Sequence, residues 1–335
     1  MPKPPFAITD KIANLVAKIA EETGRIEGAG EYSRNLHLRK ANRLRSIHSS
    51  TAIEGNTLSL QQVTEIINGK RVIGNNREIK EVKNAYDAYE QILNFNPFKV
   101  ADFLKAHNLM TMGLVAESGK FRAGNVGVFS GKKIVHLGAN PEFVPKLVKE
   151  LFAWAKNSDT HPLIKSSVMH FEIEFIHPFS DGNGRMGRLW QTLVLASWHE
   201  IFAWVPIETI VHAKQKEYYQ VLALAGKKAD STEFIEFMLE NISEAVDELP
   251  AKKFTDIIPD KITDKLNKAE LEFLKNIIGF LENNQVIDNY RAQALTNKSA
   301  DSVKKHFAAL VEVGILKATG EKKGRKYSLM RLKNS

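Results

Sequence analysis

No cysteine occurs in the 335 residues. That excludes a disulfide framework, a thiol nucleophile and a cysteine-based zinc site. No apolar run reaches the ~18 residues a membrane-spanning helix needs. The N-terminal MPKPPFAITDK lacks the apolar stretch of a secretory signal. No membrane partner is expected, and a soluble cytoplasmic chain is the default. Internal repeats and low-complexity tracts are missing. So are G-x-x-x-x-G-K-[ST] and H-E-x-x-H, which removes the P-loop and one common zinc-hydrolase pattern. What is present is ordinary globular composition: 43% hydrophobic, 26% charged and 9% aromatic. Wholesale disorder and collagen-like repeats are out, and at roughly 150 residues each the length suggests two or three domains.

Charge is unevenly placed. The net charge is +8, and residues 251–335 hold 17 basic against 10 acidic residues, which accounts for +7 of it. An anionic partner is therefore expected at the tail and not along the whole molecule. Residues 1–250 read as mostly helical. Ile12, Leu15, Val16 and Ile19 share a helical face, and such spacing recurs in Ser59–Ile67, Arg77–Leu93, Phe98–Gly113, Glu142–Lys156, Pro162–Phe175, Gly184–Ile201, Thr209–Leu224 and Thr232–Ala245. Arg122–His136 alternates small, β-branched and polar residues around Ser130-Gly131 and predicts a lone β-hairpin. Asp247–Lys268, with Pro250 and Pro259, reads as a linker. After it come three short helices and a basic two-stranded segment around Gly320–Arg325, the pattern of a winged helix-turn-helix.

The chemistry concentrates in His177-Pro178-Phe179-Ser180-Asp181-Gly182-Asn183-Gly184-Arg185-Met186-Gly187-Arg188. Gly182 and Gly184 permit a sharp turn and close backbone approach to a ligand. An amphipathic helix follows at once, so free N–H groups and the positive dipole end point at the turn, an anion site. Arg185 and Arg188 lie one turn apart and can grip phosphate oxygens together. Asp181 is a hard oxygen donor suited to Mg²⁺ shared with phosphates. His177 can take a proton near neutrality. A base, a metal ligand, an N–H cradle and two arginines make a phosphoryl- or nucleotidyl-transfer site. Plainer readings compete. A His-Pro pair is usually a turn. Gly182-x-Gly184-x-x-Gly187 matches the dinucleotide fingerprint, but no βαβ unit surrounds it. His170, seven residues before His177, reads as a packed or hydrogen-bonded histidine in preference to half of a metal pair.

The twelve residues resemble the signature of the Fic family, H-P-F-x-[DE]-G-N-G-R-x-x-R, without a departure, and the resemblance extends over most of residues 1–245, including His170, Glu174 and the hairpin. It implies a helical domain that transfers AMP from ATP to a hydroxyl side chain of a target protein or of itself. By that resemblance His177 deprotonates the hydroxyl and Asp181 holds Mg²⁺. Phe179, Ser180, Gly182, Asn183, Gly184 and Arg185 cradle the phosphates, and Arg188 holds the γ-phosphate. The hairpin aligns the target by strand pairing. Tyr219 lines the nucleotide pocket, or is a core tyrosine on an amphipathic helix.

A second run, Ser50-Thr51-Ala52-Ile53-Glu54-Gly55-Asn56, reads as a helix end with Gly55 just past it. Glu54 is locally misplaced, because the helix dipole disfavours a carboxylate there. Alone it reads as a solvated glutamate. The family resemblance makes it the inhibitory motif [ST]-x-x-x-E-[GN], with Glu54 and Ser50 set against Arg188. A bidentate Glu54–Arg188 pair would then compete with the γ-phosphate.

These readings assemble into a mainly α protein: a Fic helical core with a β-hairpin flap, plus a C-terminal winged helix-turn-helix. The expected divisions are 1–95 with the inhibitory helix, 96–246 as catalytic core, 247–267 as linker and 268–335 as winged helix. The expected co-substrate is ATP and the expected cofactor Mg²⁺. DNA is a candidate partner through residues 288–326, with Lys298, Lys304, Lys305, His306, Lys322, Lys323, Arg325 and Lys326 as candidate contacts, against a protein-docking alternative. Three other readings stay open: transfer of a different phosphate-bearing group, AMP removal, and a DNA-binding regulator whose Fic site only senses ATP. Relief of the brake by a ligand, a partner or a change in a homodimer also stays open.

Overall fold

A computed structural model describes residues 3–29, 36–130, 133–249, 266–284, 286–320 and 324–330. The chain forms two compact units, Met1–Leu249 and Pro250–Ser335. The first is built from α1 (Asp10–Ala29), α2 (Leu36–Ile53), α3 (Leu60–Ile67), α4 (Asn76–Glu90), α5 (Val100–Thr111), α6 (Val144–Asn157), α7 (Pro162–Ile176), α8 (Asn183–Trp198), α9 (Ile207–Ala213), α10 (Gln215–Lys228) and α11 (Thr232–Asp247). Residues from both sides of position 95 enter one apolar core, so the expected 1–95 and 96–246 regions share it. The expected linker falls mostly outside the described residues.

α7 and α8 form the centre. Every α8 residue from Asn183 to Ala196 is buried, as are eleven of the fifteen residues of α7. Helices apolar around most of their circumference belong inside a core. Phe103, Phe152, Phe179 and Trp190 pack there with ring centroids 5.0–5.7 Å apart. The α7–α8 connection is residues 177–182, the first half of the signature. The most buried hairpin of helices therefore holds the functional loop rigidly.

α2 is the helix that apolar spacing did not reveal. Its buried face is largely polar: Asn42, Arg43, Ser46, Ser49, Ser50 and Thr51 sit beside Leu44, Ile47 and Ile53. The continuous helix expected over Thr209–Leu224 is two, α9 and α10. They are separated at Lys214, whose N–H reaches back to both Ile210 and Val211. Neither Gly nor Pro marks that break.

β1 (Gly127–Ser130) and β2 (Lys133–Leu137) form the antiparallel hairpin, with a register shift between Val128 and Phe129. Its tip, 131–132, lies outside the described residues. Arg122–Val126, expected as part of the hairpin, is a non-strand arm leading into it.

The second unit contains α12 (Lys268–Asn284), β3 (Ile287–Asp288), α13 (Asn289–Thr296), α14 (Ala300–Glu312), β4 (Leu316–Thr319) and β5 (Lys326–Leu329). Asp288 and Ser299 cap α13 and α14 by accepting the N–H of Arg291 and Ser302. The sheet order is β3-β5-β4, and β3 was not foreseen. Phe273, Ile277, Val303, Phe307 and Leu310 form a separate core, with Phe307 stacked on Tyr327 at 3.8 Å. His306 stacks on Phe273 and so belongs to packing. Lys322 and Lys323 lie outside the described residues. Among those described, no helix is long and apolar enough to cross a membrane.

Candidate active site

The signature loop begins where α7 ends. His177 caps α7 in the left-handed region, φ 53° and ψ 61°, and its N–H donates to Ile173 O at 3.0 Å. A non-glycine residue there carries a conformational cost of roughly 1–2 kcal/mol, so surrounding contacts must hold it. Arg122 does this. Its Nε donates to His177 O at 2.7 Å, its Nη1 to Gly124 O at 2.7 Å, and its Nη2 to Ala139 O. The Arg122 N–H also donates to Pro178 O at 3.1 Å. One buried guanidinium thus ties both feet of the hairpin to the histidine. Neither periodicity nor a motif marks this residue.

The rest of the loop is stitched internally. Asn183 Oδ1 accepts the Phe179 N–H and its Nδ2 donates to Phe179 O, both at 2.9 Å. The Phe179 ring is fully buried and stacks on His107 with centroids 3.6 Å apart. Phe179 was expected among the phosphate-binding residues. Its ring lies in the core and its amide is already bonded, so the structure gives it a packing part instead. The Asn183 side chain likewise holds the loop, which leaves its backbone for a cradle. Ser180 is exposed. His107, also unforeseen, accepts the Gly119 N–H at Nδ1 and therefore donates from Nε2 to Asp181 O at 3.0 Å. Burial pushes its pKa down to about 4, so it works as a neutral strut.

Gly182, φ 85°, precedes the first residue of α8, and no side chain caps the first N–H groups of the helix. The positive helix end and those amides face the loop. Arg185 Nη2 donates to Asp181 Oδ1 at 2.9 Å. Arg188 is buried. Its Nη2 donates to Glu54 Oε1 at 2.7 Å and to Ser50 O at 2.9 Å, and its Nε donates to Ser50 Oγ at 3.1 Å. The expected bidentate pair is therefore a single charge-assisted bond, and Ser50 takes up the rest of that edge. Six buried side-chain N or O atoms among the described residues find no hydrogen-bond partner. Three of them are Arg185 Nε, Arg185 Nη1 and Arg188 Nη1. A buried donor left unmade costs about 1–3 kcal/mol, so this concentration of orphaned guanidinium N–H groups suits an anionic oxygen ligand.

Glu54 stands at the end of α2 in a Schellman turn: Gly55 N–H to Ala52 O at 2.9 Å and Asn56 N–H to Thr51 O at 3.2 Å, with Gly55 at φ 89°. The expected helix end is thus in place, and Arg188 offsets the unfavourable dipole. Gly184 lies directly beneath. A Cβ there would collide with Glu54 Oε1 and stand 3.1 Å from both Arg188 Nη1 and Glu174 Oε1. Burial, reinforced by the Glu54 charge, pushes the Glu174 carboxyl up to about 7. The Glu54–Arg188 pair holds the guanidinium firmly in its charged form.

His170 is fully buried between Gln191 Oε1, 2.7 Å from Nδ1, and the Tyr218 hydroxyl, 3.0 Å from Nε2. It is a hydrogen-bonded core histidine whose burial lowers its pKa to about 3. The Tyr219 hydroxyl donates to Ile53 O at 3.0 Å, beside Gln215 Nε2 at 2.8 Å on the same carbonyl. Tyr219 is 42% exposed, so the core-tyrosine alternative does not hold. It reaches the end of α2 next to Glu54.

For a metal, Asp181 is the carboxylate at the helix end. Its oxygens are bonded to Arg185 and, at 3.0 Å, to Arg77 Nη2. No group of three or more His, Asp or Glu among the described residues makes a metal cage. Mg²⁺ carried in on phosphates needs only one or two protein carboxylates, so one hard oxygen donor beside unpartnered arginines fits it.

A helix N-terminus without a side-chain cap, two buried arginines and an acidic residue gather beside a histidine in left-handed backbone, and their unpartnered N–H groups suit an anionic ligand. Residues 97–195 match the Fic/DOC family. A Fic family protein of Desulfovibrio desulfuricans, solved as a crystal structure, is 37% identical over the full length of both chains, with a TM-score of 0.72. The chain belongs to the Fic family. It is similar to protein adenylyltransferase fic-1 of Caenorhabditis elegans, 27% identical over 246 residues that cover 69% of this chain and 46% of that protein. It is also similar to protein adenylyltransferase Fic of Aedes aegypti, 28% identical over 228 residues that cover 64% and 43%. The chain spans less than half the length of these curated relatives.

Proposed function

We propose that the chain is a protein adenylyltransferase that moves AMP from ATP to a Tyr, Thr or Ser hydroxyl of a target protein or of itself, and that Glu54 restrains it. The observation that carries this reading is Arg188, buried, bonded to Glu54 and Ser50, with one N–H nitrogen still unpartnered beneath an uncapped helix end. ATP places its phosphates against the first amides of α8, Arg185 and Arg188. Asp181 is the residue that would hold Mg²⁺, which when bound neutralises charge on the phosphates. His177 takes the proton of the target hydroxyl. That oxygen bonds to the α-phosphorus as the bond to the β-phosphate bridging oxygen breaks, and pyrophosphate leaves. The hairpin, anchored to His177 O through Arg122, presents the target segment.

Glu54 acts by competition. Its carboxylate occupies Arg188 and repels phosphate, and misalignment of the α-phosphorus costs orders of magnitude in rate. Transfer of the γ-phosphoryl group is the competing reading. The test is parallel incubation with ATP labelled at the α- or the γ-phosphate. Protein labelled from the α-position alone is expected, and label from the γ-position overturns the reading.

For the second unit, helix, strand, two helices and a hairpin with order β3-β5-β4 support a winged helix-turn-helix. Lys298, Lys304, Lys305, Arg325 and Lys326 would supply its phosphate contacts, whereas His306 is packed on Phe273. Binding of random duplex DNA that weakens steeply with salt is expected, and its absence at low salt favours protein docking.

A further inference from the structure

Asp181 receives two guanidinium groups of different character. Arg185 is 4% exposed and lies in the first turn of α8, whereas Arg77 is 54% exposed and comes from the first turn of α4. Arg77 belongs neither to the signature nor to residues 97–195. The cap fixes its backbone, because Asn75 Oδ1 accepts the Arg77 N–H at 2.8 Å. Its Nη2 donates to Asp181 Oδ2 at 3.0 Å, and its Nε lies 3.3 Å from Glu81 Oε1. Glu81 Oε2 in turn accepts from Asn56 Nδ2 at 3.1 Å. Asn56 closes the Schellman turn that positions Glu54. A continuous chain therefore runs from the end of α2 through Asn56, Glu81 and Arg77 to Asp181.

We propose that Arg77 is a positioning residue and the second arm of the restraint. It holds Asp181 Oδ2 against a divalent cation as Glu54 holds Arg188 against phosphate. The proposal rests on the reading of Asp181 as the metal-side carboxylate. A guanidinium and a divalent cation at one carboxylate repel each other and compete for its oxygens. Arg77 is the group that yields: it is half in water, where an ion pair is worth little and an arginine loses little on leaving. Arg185, enclosed by the core, stays. The cation and the nucleotide thus displace two contacts anchored in one turn, the Arg77 contact through Asn56 and Glu81 and the Glu54 contact directly.

The test uses the full chain without nucleotide and Mn²⁺ as the metal probe, with free Mn²⁺ followed by its electron paramagnetic resonance signal. Arg77→Met is expected to tighten Mn²⁺ binding about two- to fivefold, the competition an exposed ion pair can offer. Glu81→Gln, which loosens Arg77, shifts binding the same way by less. Arg77→Lys, which keeps the charge and loses the fork, falls between wild type and Arg77→Met. Asp181→Asn weakens binding. If Arg77→Met binds Mn²⁺ no more tightly than wild type while Asp181→Asn weakens it, the competition is overturned and the role of Asp181 stands. If Asp181→Asn binds as wild type does, the metal-side reading fails and takes the proposal with it. Because these readouts are equilibrium metal binding, they do not depend on whether AMP is transferred.

Discussion

α2 and α8 both have one end at the site and both are buried, but they are buried by different chemistry. α8 is held by apolar surface: Met186, Leu189, Trp190 and Leu193 enter the core, where Trp190 packs on Phe103 and Phe152. α2 is held largely by polar partners. Ser46 donates to the buried Glu208 at 2.8 Å, Arg43 Nη1 to Tyr89 O at 2.6 Å, and Ser50 bonds to Arg188. Glu208 also accepts from the Tyr89 hydroxyl at 2.6 Å and from Thr192 at 3.3 Å, which joins α2, α4, α8 and α9 around one carboxylate. An apolar anchor tolerates small shifts of register, whereas a hydrogen-bonded anchor does not. A helix that must deliver one carboxylate to one guanidinium is better served by the second kind, and that is the helix carrying Glu54.

The comparison breaks most severely on the apolar side. Trp190→Ala removes the largest fully buried side chain and should lower unfolding free energy by about 3–5 kcal/mol, read by urea denaturation. On the polar side, Glu208→Ala leaves the hydroxyls of Ser46 and Tyr89 without their acceptor. About 2–3 kcal/mol should be lost, and Glu208→Gln, which keeps one acceptor, should recover part of it. Equal losses for Ala and Gln would contradict a role for the acceptor oxygen that Gln retains.

A smaller effect is read by pH, at the α7 residue Glu174 beside Glu54 and Arg188. The native chain keeps a proton on Glu174 up to about pH 7, while an unfolded glutamate releases it near 4.5. Between these values the folded state binds more protons, so this group lowers stability as pH rises. Glu174→Gln should therefore gain on wild type by about 1–3 kcal/mol between pH 5 and pH 8, followed as the difference in thermal midpoint across that range. A difference independent of pH would place the proton elsewhere.

How much of this was legible in the sequence follows the same division. Apolar periodicity marked the helices that apolar contacts bury, and the glycine-rich turn and its arginines marked the site. The end of α2 was legible because Gly55 must adopt φ 89°. The body of α2 was not, because serines, an asparagine and an arginine line its buried face. Arg122, His107, Arg77 and Glu81 were missed for a related reason. Each acts through a long-range bond to backbone or carboxylate, and no local spacing announces such a bond. The single-bonded geometry of Glu54 on Arg188 was likewise invisible, since only the fold shows that Ser50 occupies the neighbouring edge. The split at Lys214 had no Gly or Pro to signal it, yet it begins the helix from which Gln215 and Tyr219 bond Ile53 O.

The central claim is that Glu54 occupies the arginine that ATP needs. It is tested most directly by the initial rate of self-labelling from α-labelled ATP in wild type, Glu54→Gly and Glu54→Gly with His177→Ala. The account predicts a rate about 10- to 100-fold above wild type in Glu54→Gly, from restored alignment, and loss of that label in the double variant, by about 10²-fold or more. A Glu54→Gly protein that labels no faster than wild type would contradict it.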